Sequence, residues 1–283
     1  MRIGQLVGGI ILALIIIVSI ALVILGDWFW FLSMGYESVF LTVLFTSVGI
    51  GVISFIVFFV FSCLSILAAK RAAAGKKKQS KHDKAKTRLV AALAALISLG
   101  AGIGMGSSWE IVLKYLNYSG FAVKDAVFGL DIGFYVFTLP FYSFVVNFFL
   151  ALFVASMFLA VLSYIIHSRG FGMEVKEPEL PEGPFGGSTG KQMSLKWRGS
   201  WHKLVPQASV LLFLIFTAIA AAMWISQYGL LYSSGGAVFG AGYTDVNVTL
   251  PLLMILSVVA VVIGLMFLAN MKVKKPELIK FGI

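Results

Sequence analysis

The sequence predicts an all-α integral membrane protein with six transmembrane helices and both termini cytoplasmic, and three observations predict it. The chain of 283 residues is 60% hydrophobic and only 12% charged, against about 25% charged for soluble domains. Its apolar residues are gathered into six long runs rather than spread through alternating patterns. Its positive charges are sorted: of 22 Lys and Arg residues, 20 fall in alternate gaps between those runs.

The runs justify themselves in order. The first, 6–25, carries no charge and follows Arg2. It is longer than a signal-peptide core of about 7–15 residues and meets Asp27-Trp28 with no small-residue cleavage site, so it reads as a retained signal anchor. The second, 39–69, would be about 46 Å long as a helix, beyond the roughly 30 Å hydrocarbon core, so it must tilt or project. The third is 89–106, the fourth 141–166, the fifth 204–227 and the sixth 246–270. Only a helix, with its backbone bonded internally, hides an open chain in lipid. None of the runs has the alternation of a barrel strand.

Charge then sets the orientation. Arg2, the stretch 70–88, the stretch 167–203 and the segment after residue 271 carry 20 of the basic residues, which marks these gaps as cytoplasmic. The opposite gaps hold Asp27, Glu37, Glu110, Asp125, Asp131 and Asp245 against Lys114 and Lys124. This sorting accounts for the net charge of +10 without nucleic acid. The loop 71–86 is basic and free of large apolar groups, suited to anionic headgroups. Residues 171–195 hold Pro178, Pro181 and Pro184 and cannot be helical throughout. Gly186 to Lys191 imitates a phosphate loop, but Phe185 and Gln192 stand where Gly and Ser/Thr are required.

The outer segments are aromatic and rich in glycine. Trp28, Trp30, Tyr36, Trp109, Tyr115, Tyr135, Tyr228 and Tyr232 sit where an interfacial belt forms. Gly235, Gly236, Gly240 and Gly242 beside Phe239 and Tyr243 suggest a defined loop rather than a slack linker. The pieces Asp27-Trp28-x-Trp30-Phe31 with Gly35-Tyr36, Trp109-Glu110, and Phe128-Gly129-x-Asp131-Ile132 through Leu139-Pro140-Phe141 recur in a known pattern. So does Leu231-Tyr232-Ser233 leading to Val238-Phe239-Gly240-Ala241-Gly242-Tyr243-Thr244-Asp245. Together they resemble, in order and over nearly the whole chain, the amino-terminal membrane region of uncharacterised protein family 0182. That resemblance implies large prokaryotic multi-pass membrane proteins of the cell membrane, with a seventh span and an extracytoplasmic domain further on. It implies no reaction. The family pattern has Pro after the aspartate matching Asp125, where this chain has Ala126.

Chemistry is sparse. Asp125, Asp131 and Asp245, with Glu110, are hard oxygen donors that would suit a cation if they converged, although their spacing fits no EF-hand. The three histidines, His82, His167 and His202, lie on the other side of the membrane, which denies the outer face a Ser–His pair. No catalytic set and no cofactor motif is found. No Asp, Glu, Lys or Arg occurs well inside a span, which disfavours transport chemistry. Asn147 reads as bonding to a neighbouring helix, and Gly100 and Gly104 as a close helix contact. The sequons Asn117-Tyr118-Ser119 and Asn247-Val248-Thr249 both lie at the outer side. The expected function is a membrane platform for an extracytoplasmic domain or envelope partner, with a transporter or channel component as the alternative. The expected contact residues are Trp109, Glu110, Asp131, Tyr232, Phe239, Tyr243 and Asp245.

Overall fold

The computed structural model describes residues 3–74, 81–168, 171–176, 192–197, 201–233 and 240–273. Its long helices are α1 (Ile3–Ser33), α2 (Glu37–Ala74), α3 (Lys81–Gly106), α5 (Leu139–His167), α6 (Val205–Ser226) and α7 (Leu250–Val273), with a short α4 (Trp109–Leu116). Among the described residues, six helices are long and apolar enough to cross a membrane. Several outrun their apolar cores. α3 begins within the basic stretch, because Lys and Arg sustain a helix and can snorkel from its end. α5 and α7 are each preceded by a π-helical turn, Phe134–Thr138 and Asp245–Thr249, and α6 continues as a 3-10 turn, Gln227–Tyr232. One small antiparallel sheet, β1 (Phe171–Lys176) with β2 (Gln192–Trp197), lies between α5 and α6, in the stretch whose prolines forbid continuous helix.

α2 is the centre of the bundle, packing on α3 and α5, while α6 joins α5 to α7. Its buried face runs through Ser54, Phe58, Ser62, Ser65, Ile66 and Ala69, steps of three and four that follow one side of a helix. Lipid is as apolar as leucine, so burial of large side chains drives little here, and small residues that permit close approach take over. Ser62 meets Ser156 of α5 at 3.4 Å, Ser163 donates to the Ile66 carbonyl at 3.2 Å, and the Gln207 amide donates to the Ser65 carbonyl at 2.8 Å. Each such interhelical bond contributes about 0.6 kcal/mol, and together they fix rotation.

The α2–α3 contact uses glycines, but not the expected pair. A Cβ on Gly102 would stand 2.8 Å from the Gly51 carbonyl oxygen, and one on Gly106 would stand 2.8 Å from the Ser47 carbonyl oxygen. Gly100 and Gly104 have nothing within 4 Å of that position. Two residues are about 200° of helix, so the two glycine pairs occupy opposite faces, and spacing alone does not tell which faces α2. The Ser47 hydroxyl donates to the Gly106 carbonyl at 2.9 Å, which seals the contact.

Asn147 also departs from expectation. It is exposed on α5, and its amide has no protein partner among the described residues. It opens, with Gly104 and Ser143, onto a groove of about 430 Å³ between α3 and α5.

α1 stands apart and touches α2 chiefly at one end. Trp28 and Phe31 pack on Phe40 with ring centroids at 5.5 and 5.6 Å. Its large side chains from Val7 to Leu25 are otherwise exposed, as a lipid-facing helix requires. The turn into α2 is a Schellman motif. Gly35 takes φ 76°, its amide donates to Leu32, and the Tyr36 amide donates to Phe31.

Candidate functional site: an ordered cap at one end of the bundle

The segment from α4 to α5 forms a cap whose order comes from two aspartates. Asp125 accepts on Oδ1 from the Val127 and Phe128 amides at 2.8 and 2.5 Å. It accepts on Oδ2 from the Leu130 amide and the Tyr135 hydroxyl at 2.8 and 2.9 Å. A carboxylate offers about four lone-pair sites, and here all are engaged. Asp131 accepts on Oδ1 from the Phe121 and Gly133 amides at 3.1 and 2.7 Å. Between them the chain pairs briefly with itself, with the Asp125 amide donating to Leu130 and the Ile132 amide to Val123.

The bends are built to match. Gly129 takes φ 67°, and Ala122 takes φ 57°, a left-handed conformation costly for alanine that the surrounding bonds impose. A Cβ on Gly133 would lie 2.6 Å from the Ser119 carbonyl oxygen and 2.8 Å from Asp131 Oδ1, so only glycine fits there.

Both carboxyls are held below their ordinary value. For Asp125, desolvation pushes upward, but the Phe128, Leu130 and Val127 amides and the Tyr135 hydroxyl outweigh it. For Asp131, the Phe121 and Gly133 amides lead, helped by the Ala122 amide and the charge of Lys124 against a smaller desolvation cost.

Tyr135, only 6% exposed, is the hub. Its carbonyl is orphaned by the helix it begins. The Leu139 amide is committed to Phe134 in the π-turn, and the next residue, Pro140, has no N–H to give. The Tyr232 hydroxyl fills the vacancy at 3.1 Å. The Tyr228 ring packs tilted against Phe128 at 4.9 Å and edge-on to Phe134 at 5.2 Å, so the end of α6 clasps the loop before α5. Neighbouring rings extend the cap. Phe121 stacks on Phe137, Tyr118 meets Phe137 edge-on, and Tyr115 stacks on Phe141 at 3.9 Å.

The expected site residues fall into separate places. Tyr232 and Asp125 meet at Tyr135. Glu110 pairs with Lys114 at 2.6 Å on exposed α4, where Trp109 is half-buried. Asp245 accepts from the Gly242 amide at 3.0 Å, and the Asn247 side chain donates to the Tyr243 carbonyl at 2.9 Å. Tyr243 itself is 84% exposed. Phe239 lies outside the described residues, as do Gly235 and Gly236. Asp125, Asp131 and Asp245 each turn to amides of their own loops, and among the described residues no three His, Cys, Asp or Glu side chains are placed to hold a metal ion.

Sequence reasoning missed Tyr135 and a repeat that signals it. Ala126-Val127-Phe128-Gly129 and Thr138-Leu139-Pro140 recur, with the same spacing, as Ala237-Val238-Phe239-Gly240 and Thr249-Leu250-Pro251. The structure repeats as well. Gly240 has φ 126° where Gly129 is positive, and the π-turn before α7 is closed by the Leu250 amide on Asp245, as Leu139 closes the first on Phe134.

The fold and cap define a helical membrane protein of six candidate spans bearing an ordered aromatic cap. The chain belongs to the uncharacterised protein family UPF0182, whose sequence profile matches residues 5–283. A UPF0182 protein of Methanospirillum hungatei is 41% identical over 100% of this chain and 31% of that protein. One from Cupriavidus necator is 31% identical over 89% of this chain and 27% of its own length. One from Mycobacterium tuberculosis is 33% identical over 83% and 23%. The chain thus spans less than a third of the length of these curated relatives. No solved structure matches it.

Proposed function

We propose that this chain is a membrane platform, set in the prokaryotic plasma membrane with both termini cytoplasmic, whose cap docks an extracytoplasmic domain or envelope partner. The observation that carries this reading is the division of labour within the cap. Its carboxylates are spent on its own amides, while Tyr118, Phe121, Val123 and Val127 remain exposed on the rigid loop they create. Apolar side chains on a preordered backbone lose little entropy on contact, which is what a docking surface needs. Aromatic anchors dominate such interfaces.

A second reading, a transporter component, is favoured by Asn147. An amide with no protein partner among the described residues, beside a groove, is the kind of polar group found on a substrate path. Two measurements side by side separate the readings: retention of a partner in detergent extracts, and solute or ion flux in proteoliposomes. On the platform reading, Phe121→Ala and Tyr118→Ala weaken retention and Asn147→Leu does not. Flux from the purified chain alone, abolished by Asn147→Leu and indifferent to Phe121→Ala, would establish the transporter instead.

A further inference from the structure

α1 touches the bundle at a pivot, and the face of α2 that it touches runs on uncovered. At the pivot Trp28 and Phe31 pack on Phe40. On α2, Ser47, Gly51 and Phe55 follow Phe40 at steps of seven, four and four, so they continue the same helical face. Beyond the pivot this face opens, with Val48 and Val52, onto a groove of about 500 Å³ between α2 and α3. Val48 and Val52 form one wall and Leu99 and Ile103 the other, all at least half exposed. The floor is the close contact of Gly51 with Gly102 and Gly106. On α1 the matching face runs Phe31, Trp28, Ile24, Ala21 and Ile17, in steps of three and four. Its exposure rises from 39% at Ile24 to 61% at Ile17, so the two helices diverge from the pivot.

We infer that this groove is a docking seat for α1, which swings onto it about the pivot. Three features name α1 of the same chain as the occupant. First, the groove continues an interface that α1 already makes, on the same face of α2. Second, the levels agree. Ile17 is eleven residues from Trp28 and Val52 is twelve from Phe40, about 17 and 18 Å of antiparallel helix, which sets Ile17 beside Val52 and, across the groove, Ile103. Third, the turn 34–36 holds α1 at the mouth of the groove. Such a short tether gives it an effective concentration on the order of millimolar, which a free helix lacks. Freedom to swing comes from two glycines. Gly35, at φ 76°, and Gly26, two residues before Trp28, each have nothing within 4 Å of a Cβ, and a glycine within a helix weakens it there. Between helices in lipid, close packing on small residues supplies the attraction, and the glycine floor offers it.

The test uses the full chain with Cys63→Ala, reconstituted in phosphatidylcholine vesicles, carrying cysteine pairs that copper phenanthroline oxidises to disulfides. Ile17→Cys is paired with Val52→Cys or with Ile103→Cys. Ser19→Cys, on the opposite side of α1, is paired with Val52→Cys as the reference. Both pairs with position 17 should close within one chain, several-fold faster than the reference. Adding Val48→Trp, which fills the groove, should slow both to the reference rate. Equal rates at positions 17 and 19 would overturn the inference, as would closure that Val48→Trp leaves unchanged. So would disulfide-linked dimers in place of closure within one chain, which would mean that a second copy supplies the helix.

Discussion

Replacing Asp125 by alanine tests how the cap is ordered. The change strands four donors: the Val127, Phe128 and Leu130 amides and the Tyr135 hydroxyl. The Val127 bond is exposed and contributes little. The other three are half-buried, and at about 1 kcal/mol each they total about 3 kcal/mol. Solvent screening of a partly exposed carboxylate halves that to about 1.5 kcal/mol. A local opening made easier by that amount speeds amide exchange roughly tenfold. Hydrogen exchange of the reconstituted protein is the assay, read at Phe128 and Leu130, with the interior of α6 as the internal reference. Asp125→Asn should protect Phe128 better than Leu130, because Oδ1 is kept while an NH2 group faces the donors once bound to Oδ2. Unchanged exchange at both amides in Asp125→Ala would show that the carboxylate does not order the cap.

Gly102→Leu and Gly106→Leu should each destabilise the bundle in thermal unfolding in detergent by about 1–3 kcal/mol, as overpacking does elsewhere, while Gly104→Leu is tolerated; equal effects at 102 and 104 would contradict the assigned α3 face. Ala126→Pro should stabilise the cap by about 0.4–1 kcal/mol, since Ala126 opens the turn after Asp125 and its amide bonds nothing among the described residues, and increased exchange at Phe128 would count against this. Acid should open the cap only at low pH. Asp125 and Asp131 are depressed below an unfolded value near 3.9, so their stabilisation is complete above that value and is lost as pH falls through the lower folded values. Exchange in the cap, corrected for intrinsic rate, should stay flat from about pH 7 to about pH 5 and rise below about 4; a rise near pH 6 would assign the control to another group.

The spans were legible because lipid leaves the backbone one solution and composition records it directly. Side-chain placement was less so. Gly100 and Gly102 are equivalent in any count of small residues, and only the position of Gly51 on α2 distinguishes them. Asn147 was assigned to a helix contact from its type, but its place on α5 turns it to a groove. The aspartates were recognisable as important and ambiguous in role, since a carboxylate that caps amides and one that binds a cation look alike in sequence. Tyr135 looked like one interfacial aromatic among several. Its role depends on Pro140, which removes a donor, and on Tyr232, which supplies one from far along the chain. The repeated Ala-Val-Phe-Gly and Thr-Leu-Pro could have been read from the start, and it marks both π-turns.

The central claim, that the cap is a docking surface, is tested most directly by photo-crosslinking in native membranes with an activatable residue at 118, 121, 123 and 127. A matched set at the exposed α5 and α7 positions Val154, Phe158 and Val258 serves as the reference. The platform account predicts one discrete protein adduct shared by the cap positions, lost with Tyr135→Ala, and only lipid adducts from the reference set. Lipid or water adducts alone from all four cap positions would contradict it.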